Sequence, residues 1–158
     1  MDKSRIASAI QTFKPLPHRL ELVAQIEGVS WYNDSISTTP VSTIAAIEAF
    51  DEPKIIIAGG YDKGLAFDEL GAAISAKAKA AVLIGQTADA IIRTIDTQDG
   101  KITVKKASTM ARAVETAGEL AQKGDVVLLT PACASYDMFR NFQERAEVFC
   151  RLVKKLNR

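Results

Sequence analysis

Two rhythms of apolar residues alternate along the chain. Short uninterrupted runs mark strands, and stretches in which apolar positions recur every three or four residues mark helices. The runs Ile55-Ile56-Ile57-Ala58, Ala80-Ala81-Val82-Leu83-Ile84, Ile102-Thr103-Val104 and Val126-Val127-Leu128-Leu129 suit buried parallel strands. Helical patterns separate them over 67–77, over 87–95 through Ala88, Ile91, Ile92 and Ile95, and over 109–121 through Met110, Val114, Ala117 and Ala121. Ahead of these, Thr39-Pro40 is a cap with proline at the first helical position, and it opens a row of Val41, Ile44, Ile47 and Phe50. A last helix is predicted over 139–155, with Phe139, Phe142, Ala146, Phe149 and Val153 on one face and a basic end at Lys154-Lys155. Near the start, Ile6, Ala9, Ile10 and Phe13 share a helical face that stops at Lys14-Pro15-Leu16-Pro17. Leu20, Leu22, Ala24 and Ile26 then alternate with polar residues, and Gly28 divides this run from Val29-Ser30-Trp31-Tyr32, which reads as a hairpin.

Strand alternating with helix at this spacing predicts an α/β fold: an open, mostly parallel Rossmann-like sheet with helices on both faces and an edge hairpin near the N-terminus. The 158 residues amount to one domain, and 47% hydrophobic with 25% charged residues is an ordinary globular balance. A net charge of +1 lacks the footprint of a nucleic-acid binder, and no apolar run reaches the length of a membrane helix, so nucleic-acid and membrane partners are not expected and the location expected is cytoplasmic. Cys133, Cys150 and the single histidine, His18, are too few for a disulfide scaffold or a structural zinc site.

Ligands of open α/β sheets bind beyond the carboxyl ends of the strands, which sorts the loops by end. Those entering strands, Asp51 to Lys54, Lys77 to Lys79, Asp96 to Lys101 and Gln122 to Asp125, are charged and turn-like, and read as plain surface. Those leaving strands, Asn33 to Thr39, Gly59 to Gly64 and Thr130 to Ser135, are rich in glycine, hydroxyls and small residues and run toward helix N-termini that favour anions. With Lys63, this end is expected to bind carboxylate or phosphate. Gly59 and Gly64 have P-loop spacing, but Leu65-Ala66 follows where lysine and a hydroxyl are needed, and no G-x-G-x-x-G occurs. Lys63 reads as a ligand group or a surface lysine, Asp34 and Ser35 as site residues or turn formers, Thr39 as a cap, Cys133 as a small packed residue. His18 either positions a ligand or supports the linker. Ser135 lies in no nucleophile elbow, so it reads as a binding hydroxyl.

The same loops carry a resemblance. Leu16-Pro17-His18-Arg19-Leu20-Glu21, Trp31 to Thr39, Gly59-Gly60-Tyr61-Asp62-Lys63-Gly64, and Leu129 to Asp137 with Asn141-Phe142 resemble the C-terminal domain of the Mur ligases, of the type that adds D-glutamate to UDP-N-acetylmuramoyl-L-alanine. The resemblance implies residues 1–15 as a tail helix of a preceding ATPase domain plus linker, and 16–158 as the D-glutamate-binding domain. It implies an ATP-dependent amide ligase of peptidoglycan synthesis, working through an acyl phosphate as a monomer, with ATP and Mg2+ bound mainly by a central domain outside this chain. UDP-N-acetylmuramoyl-L-alanine would bind through an N-terminal domain, and the chain alone would be inactive and hold no catalytic residue or metal ligand. By motif, Thr38, Lys63, Ser135, Tyr136 and Phe142 would line the D-glutamate site, and Arg19, Asn33 and Asp34 the nucleotide side. Ile36 stands where some family members carry lysine. Other Mur ligases and folylpolyglutamate-type ligases are a same-class alternative. A non-catalytic module for acidic ligands and a purely structural interaction domain are the alternatives of other classes.

Overall fold

The computed structural model describes residues 16–98, 100 and 102–156. The predicted leading helix and the proposed domain boundary at residue 15 lie outside them. In chain order the elements are β1 (Glu21–Ile26), β2 (Val29–Asn33), α1 (Pro40–Glu48), β3 (Lys54–Gly59), α2 (Asp68–Lys77), β4 (Ala80–Ile84), α3 (Ala88–Asp96), β5 (Thr103–Lys106), α4 (Met110–Leu120), β6 (Val126–Leu129) and α5 (Phe142–Leu156). They form one six-stranded sheet in the order β1-β2-β6-β3-β4-β5. Among the strand pairs of the described residues only β1–β2 is antiparallel. This is the expected α/β architecture with its edge hairpin. The hairpin closes through Glu27 and Gly28, both at positive φ (51° and 81°), the geometry a two-residue turn of matching twist requires.

Alternate strand residues face opposite layers. Ile55, Ile57, Val127 and Leu129 pack with Trp31, Val114, Phe149 and Val153 beneath α4 and α5. Ile56, Ala58, Val126 and Leu128 pack with Ile47, Leu70, Ile74 and Ile91 beneath α1, α2 and α3. Burial on both faces is why the central strands are continuous apolar runs.

Four details depart from the sequence expectation. The Ile102-Thr103-Val104 run is not a buried strand: β5 is the far edge and is largely exposed, because nothing among the described residues pairs beyond it. On α1 the buried face is Pro40, Thr43, Ala46 and Ile47, while Val41 is 71% exposed. The face is rotated because the Thr43 hydroxyl is hydrogen-bonded to the Thr130 hydroxyl inside the fold (3.0 Å). The last helix starts at Phe142 rather than 139, since the Asn141 side chain accepts the Glu144 N–H (2.8 Å) and so caps it. Finally, the loops entering strands are not all plain surface: Lys54 and Asp125 are buried.

Candidate functional site

The loops leaving β2, β6 and β3 emerge from three adjacent strands, and backbone hydrogen bonds bind them into one surface. Asp34 N donates to Leu129 O (2.8 Å) and Ala132 N to Ser37 O (3.0 Å), joining the β2 and β6 loops. Gly59 N donates to Pro131 O (2.8 Å) and Tyr61 N to Ala134 O (2.9 Å), joining the β6 and β3 loops. At Gly60 (φ 153°) a Cβ would lie 2.3 Å from Ala134 O, so only glycine permits this approach.

The first loop is built around buried polar side chains. Asn33, Asp34, Ser35 and Ser37 are fully buried. Asp34 Oδ2 accepts from the Thr130 hydroxyl (2.9 Å), Oδ1 accepts from Leu20 N–H (3.3 Å), and Arg19 Nη1 stands 3.6 Å from Oδ1. Burial nevertheless pushes the Asp34 carboxyl above its ordinary pKa, against the lowering effect of these hydrogen bonds and of Arg19. Asn33 Nδ2 donates to Glu21 Oε2 (3.1 Å) and lies 3.1 Å from His18 Nδ1, while the His18 ring meets Phe142 edge-on at 5.9 Å. Here His18 fastens the incoming chain to the loop and to α5.

Of the residues singled out by sequence, Lys63 and Tyr136 are exposed, Thr38 and Phe142 half-buried, and Ser135 buried beside Tyr136. They rise from the three bound loops and the start of α5, so the fold gathers them at one end. Lys63 enters none of the ion pairs among the described residues. Arg19 lies on the β2-loop side, donating from Nη1 to Ser37 Oγ (2.8 Å), with 44% of its side chain exposed. Asn33 and Asp34 belong to the same loop, but their side chains are spent on its internal bonding. Thr39 is the expected cap: its hydroxyl accepts Ser42 N–H and the Ser42 side chain returns the bond.

Sequence reasoning passed over Arg145. It is buried in the core of the loop cluster, with Nε donating to Ser35 Oγ, Nη2 to Ser35 O and Nη1 to Cys133 O, each at 2.9 Å. Burial lowers its pKa to about 10, leaving it a cation at neutral pH. Cys133 is packed as expected, and burial pushes its thiol up to about 11 despite a contact with the Thr87 hydroxyl. Thr87 also accepts Gly60 N–H (3.1 Å), which brings the β4 loop into the cluster. An arginine among the apolar positions of the last helix was the available signal for Arg145; nothing local marks Thr87.

Chemically, the end offers one exposed ammonium, one half-exposed guanidinium, hydroxyls and aromatic rings. Groups of these types form charge-assisted hydrogen bonds with a carboxylate or phosphate. It includes no nucleophile paired with a base. Among the described residues no three His, Cys, Asp or Glu side chains converge as a metal-binding group. Arg19, a partly exposed cation, has the chemistry to pair with a phosphate.

The fold is an α/β domain whose strand-end loops gather a lysine, an arginine, hydroxyls and aromatic rings. Residues 18–133 match the family model for the Mur ligase glutamate ligase domain. The chain belongs to that family, whose members are ATP-dependent ligases. It is 48% identical over 154 residues to the UDP-N-acetylmuramoylalanine–D-glutamate ligase of Thermoanaerobacter sp. strain X514, covering 97% of this chain and 34% of that protein. It is 51% identical over 145 residues to the enzyme of the same name in Thiobacillus denitrificans, covering 91% and 30%. The chain thus spans about a third of the length of the curated relatives it matches. In fold it is similar to the UDP-N-acetylmuramate-alanine ligase of Thermotoga maritima (TM-score 0.69, 11% identity, 99% of this chain and 34% of that one). It is also similar to the folylpolyglutamate synthase/dihydrofolate synthase of Yersinia pestis (TM-score 0.66, 16% identity, 96% and 34%), an enzyme also solved with AMPPNP and a Mn ion. Among the described residues no helix is long and apolar enough to cross a membrane.

Proposed function

We propose that this chain is the D-glutamate-presenting domain of a cytoplasmic ligase that joins D-glutamate to UDP-N-acetylmuramoyl-L-alanine by way of an acyl phosphate in peptidoglycan synthesis. The observation that carries the reading is the gathering of Thr38, Lys63, Ser135, Tyr136 and Phe142 at one end of the sheet, in a chain whose relatives bear that enzyme's name. A dicarboxylic amino acid needs donors at two separated points. The Lys63 ammonium pairs with one carboxylate, and the Thr38 and Ser135 hydroxyls with nearby loop N–H groups receive the other. The rings of Phe142 and Tyr136 flank the aliphatic stem and keep water off it. Arg19 extends toward the phosphates of ATP, and Asn33 and Asp34 set the shape of the loop on the ribose side. When bound, ATP with Mg2+ supplies the phosphoryl group that activates the muramoyl-alanine carboxylate. The Walker lysine and metal ligands come from domains outside this chain, so the chain alone is inactive and its share of catalysis is placement.

The test is steady-state kinetics of the full-length ligase. Lys63→Ala raises KM for D-glutamate about tenfold or more with KM for ATP nearly unchanged, as expected for a lost charged contact; an equal rise in both overturns the assignment. Arg19→Ala gives the mirror image. The fold shared with the Yersinia pestis enzyme favours one same-class reading, a ligase for a different acidic amino acid. Turnover with L-glutamate in place of the D-isomer would select it.

A further inference from the structure

We infer that Gln86 and Asp137 are positioning residues that hold the Lys63 loop for the amino acid; this rests on the function proposed above. Three hydrogen bonds run in series across three loops. Asp137 Oδ2, after β6, accepts the backbone N–H of Gln86 (3.0 Å). Gln86 Oε1, after β4, accepts the backbone N–H of Asp62 (3.3 Å), after β3. Asp62 Oδ1 then accepts the N–H of Gly64 (2.7 Å), closing an Asx turn whose middle residue is Lys63. The relay ends on both chain neighbours of the lysine and fixes the direction in which its stem leaves the backbone.

Two further observations show that the relay is built for placement. Gly85 is at φ +72°, and a Cβ there would lie 2.3 Å from Asp137 Oδ2 and 2.8 Å from Gly60 Cα, so the β4 loop is pressed between the other two with no spare volume. Asp137 Oδ1 is buried and has no hydrogen-bond partner among the described residues. Asp137 thus makes its side-chain hydrogen bond among the described residues through Oδ2. Its single used oxygen is committed to the loop that carries Gln86. Lys63 itself is exposed and held by no ion pair among the described residues, so without the relay its ammonium samples many directions and loses entropy when it meets a carboxylate.

The experiment is a kinetic double-mutant cycle on the full-length ligase with D-glutamate as the varied substrate. Gln86→Ala, an exposed side chain whose loss leaves the melting temperature within about 2 °C of the parent, raises KM for D-glutamate about three- to tenfold, with kcat and KM for ATP within about twofold. Asp137→Ala does the same, and Asp137→Asn, which keeps an acceptor for Gln86 N–H, restores KM. In the Lys63→Ala background, Gln86→Ala has no further effect, because the residue acts through the lysine. An unchanged KM in Gln86→Ala, or an effect that persists in full without Lys63, overturns the inference while leaving the proposed function standing. If Lys63→Ala itself leaves KM for D-glutamate unchanged, the assignment of the lysine falls, and the relay with it.

Discussion

At the two ends of the sheet, buried polar groups are handled differently. Where strands begin, the buried Asp125 carboxylate closes its turn through an ion pair: Lys79 Nζ meets Asp125 Oδ2 at 2.6 Å and the same oxygen accepts Gln122 N–H at 2.8 Å, while at the exposed surface nearby Lys77 pairs with Glu48 at 2.7 Å. Where strands end, Arg145 is buried against neutral oxygens alone and Lys63 enters no ion pair among the described residues. The polar partners there are far apart in sequence, 96 residues for Thr130 and Asp34 and 110 for Arg145 and Ser35. One end neutralises its charges to close turns. The other holds separate loops in register and carries in Lys63 a cation outside any ion pair among the described residues.

The sharpest way to break this contrast is Arg145→Met, which strands the Ser35 and Cys133 carbonyls. It costs about 3 kcal/mol in urea unfolding, and a loss under 1 kcal/mol means the cation does not brace the loops. Next, Gly85→Ala places a methyl group against Asp137 and Gly60 at a backbone angle unsuited to alanine, costing about 2 kcal/mol by thermal melting. Asp125→Asn weakens an ion pair that is already partly solvated, with an expected loss of about 1 kcal/mol; a cost equal to that of Arg145→Met erases the difference between the ends. The smallest effect is on pH. The folded Cys133 thiol titrates at about 11 against 9.0 for the free group, so the unfolded chain releases this proton first and stability falls as pH rises from 9. The lowered Arg145 pKa acts with the opposite sign only above about 10. Between pH 9 and 10, therefore, Cys133→Ser shows a shallower decline than the parent in chemical-denaturation midpoints.

The strands and the loop set were legible because burial on both faces leaves apolar runs, and close backbone approach leaves glycines and small residues such as Gly59, Gly60 and Ala134. Val41 was misplaced because helical periodicity cannot register that Thr43, a polar residue, earns burial through a hydroxyl from Thr130. Lys54 and Asp125 looked like surface charges since their partners come from other turns. Thr38, Lys63 and Ser135 could be named from motifs alone. The groups bracing them, Arg145, Thr87, Gln86 and Asp137, could not, because each acts through a contact between loops that only the folded sheet brings together.

The strand order carries a consequence for synthesis. β6, the last strand made, lies between β2 and β3, which do not pair with each other. Until about residue 129 has emerged from the ribosome, the hairpin and the β3–β4–β5 unit have no common partner, and the loops after β2 and β3 stay unconnected. The loop cluster at the strand ends therefore assembles in a single late step, dominated by contacts of long sequence separation, and a nascent chain stalled before β6 holds a half-sheet with two unpaired edges exposed to aggregation.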